Sequence, residues 1–202
     1  LLNYWFYTDH RLPNGRKFAY YIAQKEAIET LIYVFEVEKV RTRKQLMEKF
    51  AINSHDLRLP PYDDFARYCI KMATGSGKTK VMALAVAWQY FNAVKEDDTQ
   101  FAKTFLLIAP NVIVFERLKT DFEGGNIFRR EPLFPKHYEL FWDMEFYMRG
   151  DTERTHSQGA FYLTNIQQFY ERGNNSNSDE PDELTAMLGE KPQTKKIEIT
   201  DF

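Results

Sequence analysis

Apolar positions fall at helical spacing early in the chain: Ile28, Leu31, Ile32 and Phe35 repeat at i, i+3, i+4 and i+7, with Lys25, Glu26, Glu29 and Glu36 around the other face. A helix packed by one stripe is predicted from Ala23 to about Val37. Residues 41 to 50 read as its charged, helical continuation. Further on, Val81, Leu84, Ala85 and Trp88 keep the same spacing while Met82, Ala83, Val86 and Ala87 fill the rest of the circumference. A helix apolar nearly all round is a buried helix. Phe105-Leu106-Leu107-Ile108-Ala109 is continuous rather than alternating, which predicts a strand over Lys103 to Ala109 covered on both faces, as in a parallel sheet. Pro110 stops it, and Val112 to Phe122 reads as a helix closed by Gly124-Gly125.

The next segment alternates. Tyr138, Leu140, Trp142, Met144, Phe146 and Met148 lie on one side, with Glu139, Asp143, Glu145 and Arg149 on the other, and period two predicts a half-exposed strand. Ala160 to Leu163 reads as a short apolar strand, followed by a helix from Asn165 to Arg172. Phe65 to Met72, apolar and aromatic with the β-favouring Tyr68 and Ile70, reads as another strand. Leu1 to Tyr7 reads as a strand or an anchoring arm, Pro13-Asn14-Gly15 as a turn, and Asn53 to Asp64, with Pro60-Pro61, as a loop. Beyond Gly173 the residues 174 to 179 are a polar loop, a short helix is predicted from Asp182 to Leu188, and Ile197-Glu198-Ile199 is the last sign of order. No internal repeat is visible.

Strands alternating with helices predict a doubly wound α/β domain, with a mostly parallel sheet flanked by helices and ligand sites at the carboxyl edge of its strands. Three polar or glycine-rich segments directly follow three predicted strands: 73–79, 110–111 and 164–165. The first carries the clearest chemistry. Met72-Ala73-Thr74-Gly75-Ser76-Gly77-Lys78-Thr79 sits between a predicted strand and a predicted helix. In that context small residues let backbone N–H groups curl round a phosphate, and the helix presents its positive end. Lys78 reaches β/γ oxygens, and Thr79 offers a hydroxyl to Mg²⁺. The strict pattern G-x-x-x-x-G-K-[ST] has glycine where this chain has Met72, but Gly75 and Gly77 still flank the bend.

Composition narrows the alternatives. The chain has 202 residues, 44% hydrophobic and 28% charged, enough for one well-buried domain. No apolar run approaches the roughly 18 residues that cross a bilayer. The net charge of -2 gives no general basic field, so any DNA contact is local. The lone Cys69 reads as a buried small hydrophobe inside its strand, in keeping with a reducing, cytoplasmic location. His10, His55, His137 and His156 are scattered without partners at ligand spacing, which argues against a metal held by protein ligands alone. The first residue is not methionine and the opening apolar run lacks the basic region and cleavage site of a signal peptide, so the chain reads as a piece of something longer.

Taken together, these motifs resemble the first motor domain of superfamily 2 helicases, specifically the Res subunit of type III restriction enzymes, over about residues 4 to 202. Lys71 to Thr79 resembles the phosphate-binding motif I, in which the position before Ala-Thr-Gly is commonly not glycine. Ala109-Pro110-Asn111-Val112-Ile113-Val114-Phe115-Glu116-Arg117-Leu118 is similar to the DNA-tracking motif Ia, and Leu163-Thr164-Asn165-Ile166-Gln167-Gln168 to the motif after it. Tyr21 to Thr30 resembles the adenine-reading Q segment. The resemblance implies a RecA-like P-loop domain binding ATP and Mg²⁺ through Thr74, Gly75, Ser76, Gly77, Lys78 and Thr79, with Lys78 and Thr79 catalytic. Gln24 would pair with adenine, donating to N7 and accepting from the N6 amino group; a solvated glutamine at a helix start is the plainer alternative. Tyr20 and Tyr21 would stack on the base or pack in the core.

Pro110, Asn111, Arg117, Thr164 and Asn165 would contact DNA phosphates. Capping is the other role open to Asn111 and Asn165, and a solvated charge the other role open to Arg117. The domain layout is an N-terminal arm and Q-like segment over 1–64, a core with the motifs over 65–172, and a polar tail over 173–202. The implied partners are DNA, a second RecA-like domain of the parent chain, and a DNA methyltransferase subunit. The acidic Asp-Glu-x-His element that such motors need for Mg²⁺ and the attacking water does not occur; Asp179-Glu180-Pro181-Asp182-Glu183 is acidic but not at the end of an apolar strand. ATP binding with little hydrolysis is therefore expected from this chain alone. Two rival readings remain: a nucleotide-gated binding module without catalysis, and a small-molecule phosphotransferase with Arg129-Arg130 in a lid.

Overall fold

The computed structural model of the chain describes residues 1–51, 66–96, 98–149, 151 and 156–171. Its centre is a parallel three-stranded sheet in the order β3-β5-β4, formed by β3 (Thr104–Ala109), β4 (Met144–Met148) and β5 (Gly159–Asn165). The middle strand is the most enclosed, with Ala160, Phe161 and Leu163 all buried, as expected of a parallel strand packed on both faces. Phe105 pairs with Phe161 and Leu163 with Leu107 on one flank, and Phe146 with Phe161 on the other.

The helices surround this sheet. In α4 (Lys78–Lys95), Val81, Ala83, Leu84, Val86, Ala87, Trp88, Tyr90, Phe91 and Ala93 are buried, which matches its apolar circumference. The predicted Val112 to Phe122 helix is α5 (Val112–Phe122), and it buries Phe115, Leu118 and Phe122. After a short turn at Gly124-Gly125 comes α6 (Asn126–Arg130). The early helix runs as α2 (Ile22–Ile32) and then widens into a π-helical turn over Tyr33–Val37. There Glu36, placed by periodicity on the polar face, accepts a hydrogen bond from the Trp88 indole. The charged continuation is α3 (Arg43–Phe50), capped by the Thr42 hydroxyl, which accepts from the Gln45 N–H at 3.1 Å.

Leu1 to Tyr7 is not a strand but an anchoring segment. It forms α1 (Leu2–Tyr7) and precedes a hairpin of β1 (His10–Arg11) and β2 (Lys17–Phe18) around the predicted Pro13-Asn14-Gly15 turn. Three neighbouring residues at the far end of α6 hold these parts together. Trp5, 1% exposed, donates from its indole to the Leu133 carbonyl at 2.6 Å. Tyr20 donates to the Pro132 carbonyl at 3.2 Å. Lys80 on α4 pairs with Glu131. Burial, and secondarily the Glu131 charge, pushes the Tyr20 phenol up from its ordinary pKa, so it stays a donor.

Four expectations are corrected. The described part of the predicted Phe65 to Met72 strand, residues 66 to 72, has no regular secondary structure, because a strand needs ladder partners and none of β3, β4 and β5 pairs with it. Tyr68 turns inward onto Phe35, while its neighbour Cys69 is exposed rather than buried. The alternating segment splits. Lys136–Phe141 is a 3₁₀ turn and only Met144–Met148 pairs as strand, since Tyr138 packs against Phe91 and under Lys95 while Leu140 points to solvent at 89% exposure. The last helix begins two residues later than predicted, as α7 (Gln167–Glu171). The expectations for 53–64 and for the stretch beyond 172 lie outside the described residues.

Candidate functional site

The phosphate-type bend occupies the foot of α4. Gly75 and Gly77 both adopt left-handed backbone, φ +81 and +80, which residues with a Cβ adopt only at a cost. A Cβ on Gly75 would meet nothing within 4 Å, whereas one on Gly77 would lie 2.1 Å from the Gln24 amide nitrogen. The first glycine faces open space and the second is wedged against α2. The Ala73 carbonyl is the hub of the bend: it accepts from the Ser76 N–H at 3.3 Å, the Ser76 hydroxyl at 2.7 Å and the Lys78 ammonium at 2.8 Å. Lys78 also donates to the Met72 carbonyl at 3.2 Å. Thr74 is exposed and Thr79 half-buried, the latter in the first turn of α4.

Gln24 is 1% exposed, so the plain reading of a solvated glutamine does not hold. Its oxygen accepts from the Tyr21 N–H at 2.9 Å, satisfying an orphan donor at the start of α2, and its nitrogen donates to the Ser76 carbonyl at 3.0 Å. The side chain thus ties the Q-like segment to the bend. Tyr20 is core, edge-on to Phe6 and Phe18, while Tyr21 stands 66% exposed beside it. An aromatic-lined cleft of about 380 Å³, walled by Phe6, Tyr7, Phe18, Tyr20, Lys17 and Lys25, opens on this side. Lys80, two residues past Lys78, is engaged by Glu131 and lies over the Phe18 ring at 4.8 Å. Lys78 is therefore the ammonium at the bend whose hydrogen bonds run to carbonyls and not to a carboxylate.

The second group of residues meets at the carboxyl edge of the sheet. Ala109 and Asn165 are register partners, and the Ile166 N–H extends the ladder to the Ala109 carbonyl at 2.9 Å. The segments 110–111 and 164–165 are thereby adjacent. Asn111 caps α5, its oxygen accepting from the Val114 N–H at 2.9 Å, and Pro110, Asn111 and Arg117 are exposed. Asn165 differs from the expectation. It is the last residue of β5 rather than a helix cap, is 0% exposed, and its Oδ1 has no partner among the described residues. Thr164 is half-buried.

The residues of the bend fit a polyphosphate: open space at Gly75, two left-handed glycines, and one ammonium held only by neutral carbonyls. Thr79 is the hydroxyl to which the resemblance assigns a magnesium ion carried by that group; among the described residues no cluster of three or more His, Cys, Asp or Glu side chains could hold a metal. The contacts that sequence reasoning missed are the Gln24 to Ser76 tether and the Lys80 to Glu131 pair. Only the Tyr21-x-x-Gln24 spacing, half of a capping box, gave any sign of the first.

A parallel sheet with helices around it and a glycine bend at the foot of a buried helix is the arrangement of an α/β domain of the RecA-like kind. The family described as type III restriction enzyme, res subunit, matches residues 17–189. The chain belongs to that family, one of ATP-dependent helicase- and nuclease-type enzymes. No curated protein and no solved structure matches it. Among the described residues no helix is long and apolar enough to cross a membrane.

Proposed function

We propose that the chain is the ATP-binding motor domain of a DNA translocase that works in the cytoplasm, with a second RecA-like domain of the parent chain and a DNA methyltransferase subunit as partners. The single observation that carries this reading is the left-handed bend at Gly75 and Gly77, with the Lys78 ammonium resting on the Met72 and Ala73 carbonyls. A carbonyl is a weaker acceptor than a phosphate oxygen, so Lys78 exchanges these contacts for β/γ oxygens when a nucleotide enters. The N–H groups of the bend and the start of α4 hold the phosphate chain. Thr79 gives its hydroxyl to Mg²⁺.

The bound ATP supplies the phosphoanhydride whose cleavage drives movement. The residues of this chain orient it. Tyr21, exposed at the start of α2, offers its ring to the base. Gln24 keeps the bend in register with that helix start, and any pairing it makes with adenine redirects an amide now bound to Ser76. Pro110, Asn111, Arg117 and Thr164 line the track for DNA phosphates, and the buried Asn165 supports that edge from beneath. Arg129 and Arg130, the lid arginines of a phosphotransferase reading, are engaged locally instead: Arg129 with the Gly124 carbonyl and Arg130 with Asp121.

Calorimetry tests the reading. Mg-ATP binds the wild-type chain, and Lys78→Ala removes the binding signal while thermal unfolding stays cooperative. Undiminished binding in the variant would take the nucleotide away from this bend.

A further inference from the structure

Arg149 follows Met148, the last residue of β4, and Met148 pairs with Leu163 of β5. Arg149 therefore stands level with Thr164, one strand spacing away, roughly 5 Å. It is exposed, yet its guanidinium is held. With the Gln168 amide turned so that its oxygen faces the arginine, that oxygen accepts from Nε at 2.7 Å and from Nη2 at 2.9 Å. Gln168 lies on α7, just past the segment that closes β5.

Two hydrogen bonds on one edge of the guanidinium fix its plane and leave the N–H groups of Nη1 and one of Nη2 for another acceptor. The holding group matters as much as the hold. A carboxylate would orient the arginine and cancel its charge; an amide orients it and leaves the charge intact. Among the described residues no carboxylate pairs with Arg149, and a fixed guanidinium fork that keeps its charge matches phosphate geometry. Its position completes a row: Asn111 beyond the end of β3, Thr164 at the end of β5 and Arg149 at the end of β4, the three strands being neighbours in the order β3-β5-β4.

We propose that Arg149 grips a backbone phosphate of a nucleic-acid strand lying across the carboxyl edge of the sheet, and that Gln168 is its positioning residue. This rests on the reading of that edge as the DNA track. The competing role is a structural pin that joins the exit of β4 to α7; such a pin affects stability and leaves the salt dependence of binding alone.

Fluorescence anisotropy with labelled oligonucleotides of two unrelated sequences, taken through a salt titration on the intact protein, separates these. Arg149→Ala weakens both sequences alike, by roughly tenfold at low salt, and reduces the slope of log affinity against log salt by about 1. Arg149→Lys and Gln168→Leu keep the charge, so each retains the slope while losing affinity. A wild-type slope and affinity in Arg149→Ala removes the residue from the track and leaves the DNA reading standing. A flat salt response in the wild type defeats that reading and this proposal together. If Arg149→Ala loses its thermal transition, Gln168→Leu and Arg149→Lys decide, and wild-type affinity in both overturns the assignment.

Discussion

Gly77 shows how closely one residue is fixed. Its φ of +80 and the 2.1 Å approach of a hypothetical Cβ to the Gln24 amide are two separate obstacles to any side chain. Gly77→Ala is expected to lose about 1–2 kcal/mol from the left-handed backbone alone, and more from the clash. For a chain of this size each kcal/mol lowers the melting temperature by about 2–4 °C. Gln24→Ala removes the clashing group, so the double variant loses less than the sum of the two singles, with a coupling of about 0.5–3 kcal/mol in thermal unfolding. Simple additivity would disprove the wedge. The sequence marked Gln24 and the glycine bend as members of separate motifs; the Gln24 to Ser76 bond spans 52 positions, and no periodicity or spacing rule reaches that far.

Among the elements, those whose pattern depends on local burial were legible. The stripe from Ile28 to Phe35, the all-round apolar α4 and the whole of α5 fall where their spacing puts them, because each pattern is itself the record of the faces that are covered; β3 also lies where its run predicts, but Leu106 is 56% exposed, so that run did not mean a strand covered on both faces. Tyr138 to Met148 misled because alternation there serves two unlike tasks, a 3₁₀ turn packed on α4 and a strand in the sheet. The N-terminal helix α1 was illegible for another reason: it is short, and its place is set by tertiary contacts, chief among them the buried Trp5 reaching the carbonyl of Leu133. Trp5→Ala is expected to destabilise the protein by about 3–5 kcal/mol in urea unfolding. A change within about 0.5 kcal/mol, the range of surface substitutions, would mean that α1 is an appendage.

For the whole molecule, the α/β class was readable from the succession of elements, and the membership of the family from the motifs within it. The strand expected over Phe65 to Met72 was not confirmed because its ladder depends on neighbours that a local reading cannot supply. The glycine bend nevertheless keeps its shape, since its hydrogen bonds are internal to 72–78 or run to α2. A consequence can be measured by mass action. Mg-ATP at about one hundred times its dissociation constant stabilises the wild type by about 2.7 kcal/mol, and the gain disappears in Lys78→Ala. Removing Mg²⁺ with EDTA is expected to shrink the gain, as Thr79 loses the ion it helps to hold. Equal gains with and without the ion would sink that role for Thr79.

The grip on residues 131 to 133 gives the protein a load path. Leu133 takes the indole of α1, Pro132 the phenol that follows the hairpin, and Glu131 the ammonium two positions beyond Lys78. Tension on the first twenty residues is therefore delivered through this rivet to the base of α4, beside the bend, rather than dissipated at the surface. The foot of α4 and its glycine bend would therefore feel any force applied at that end.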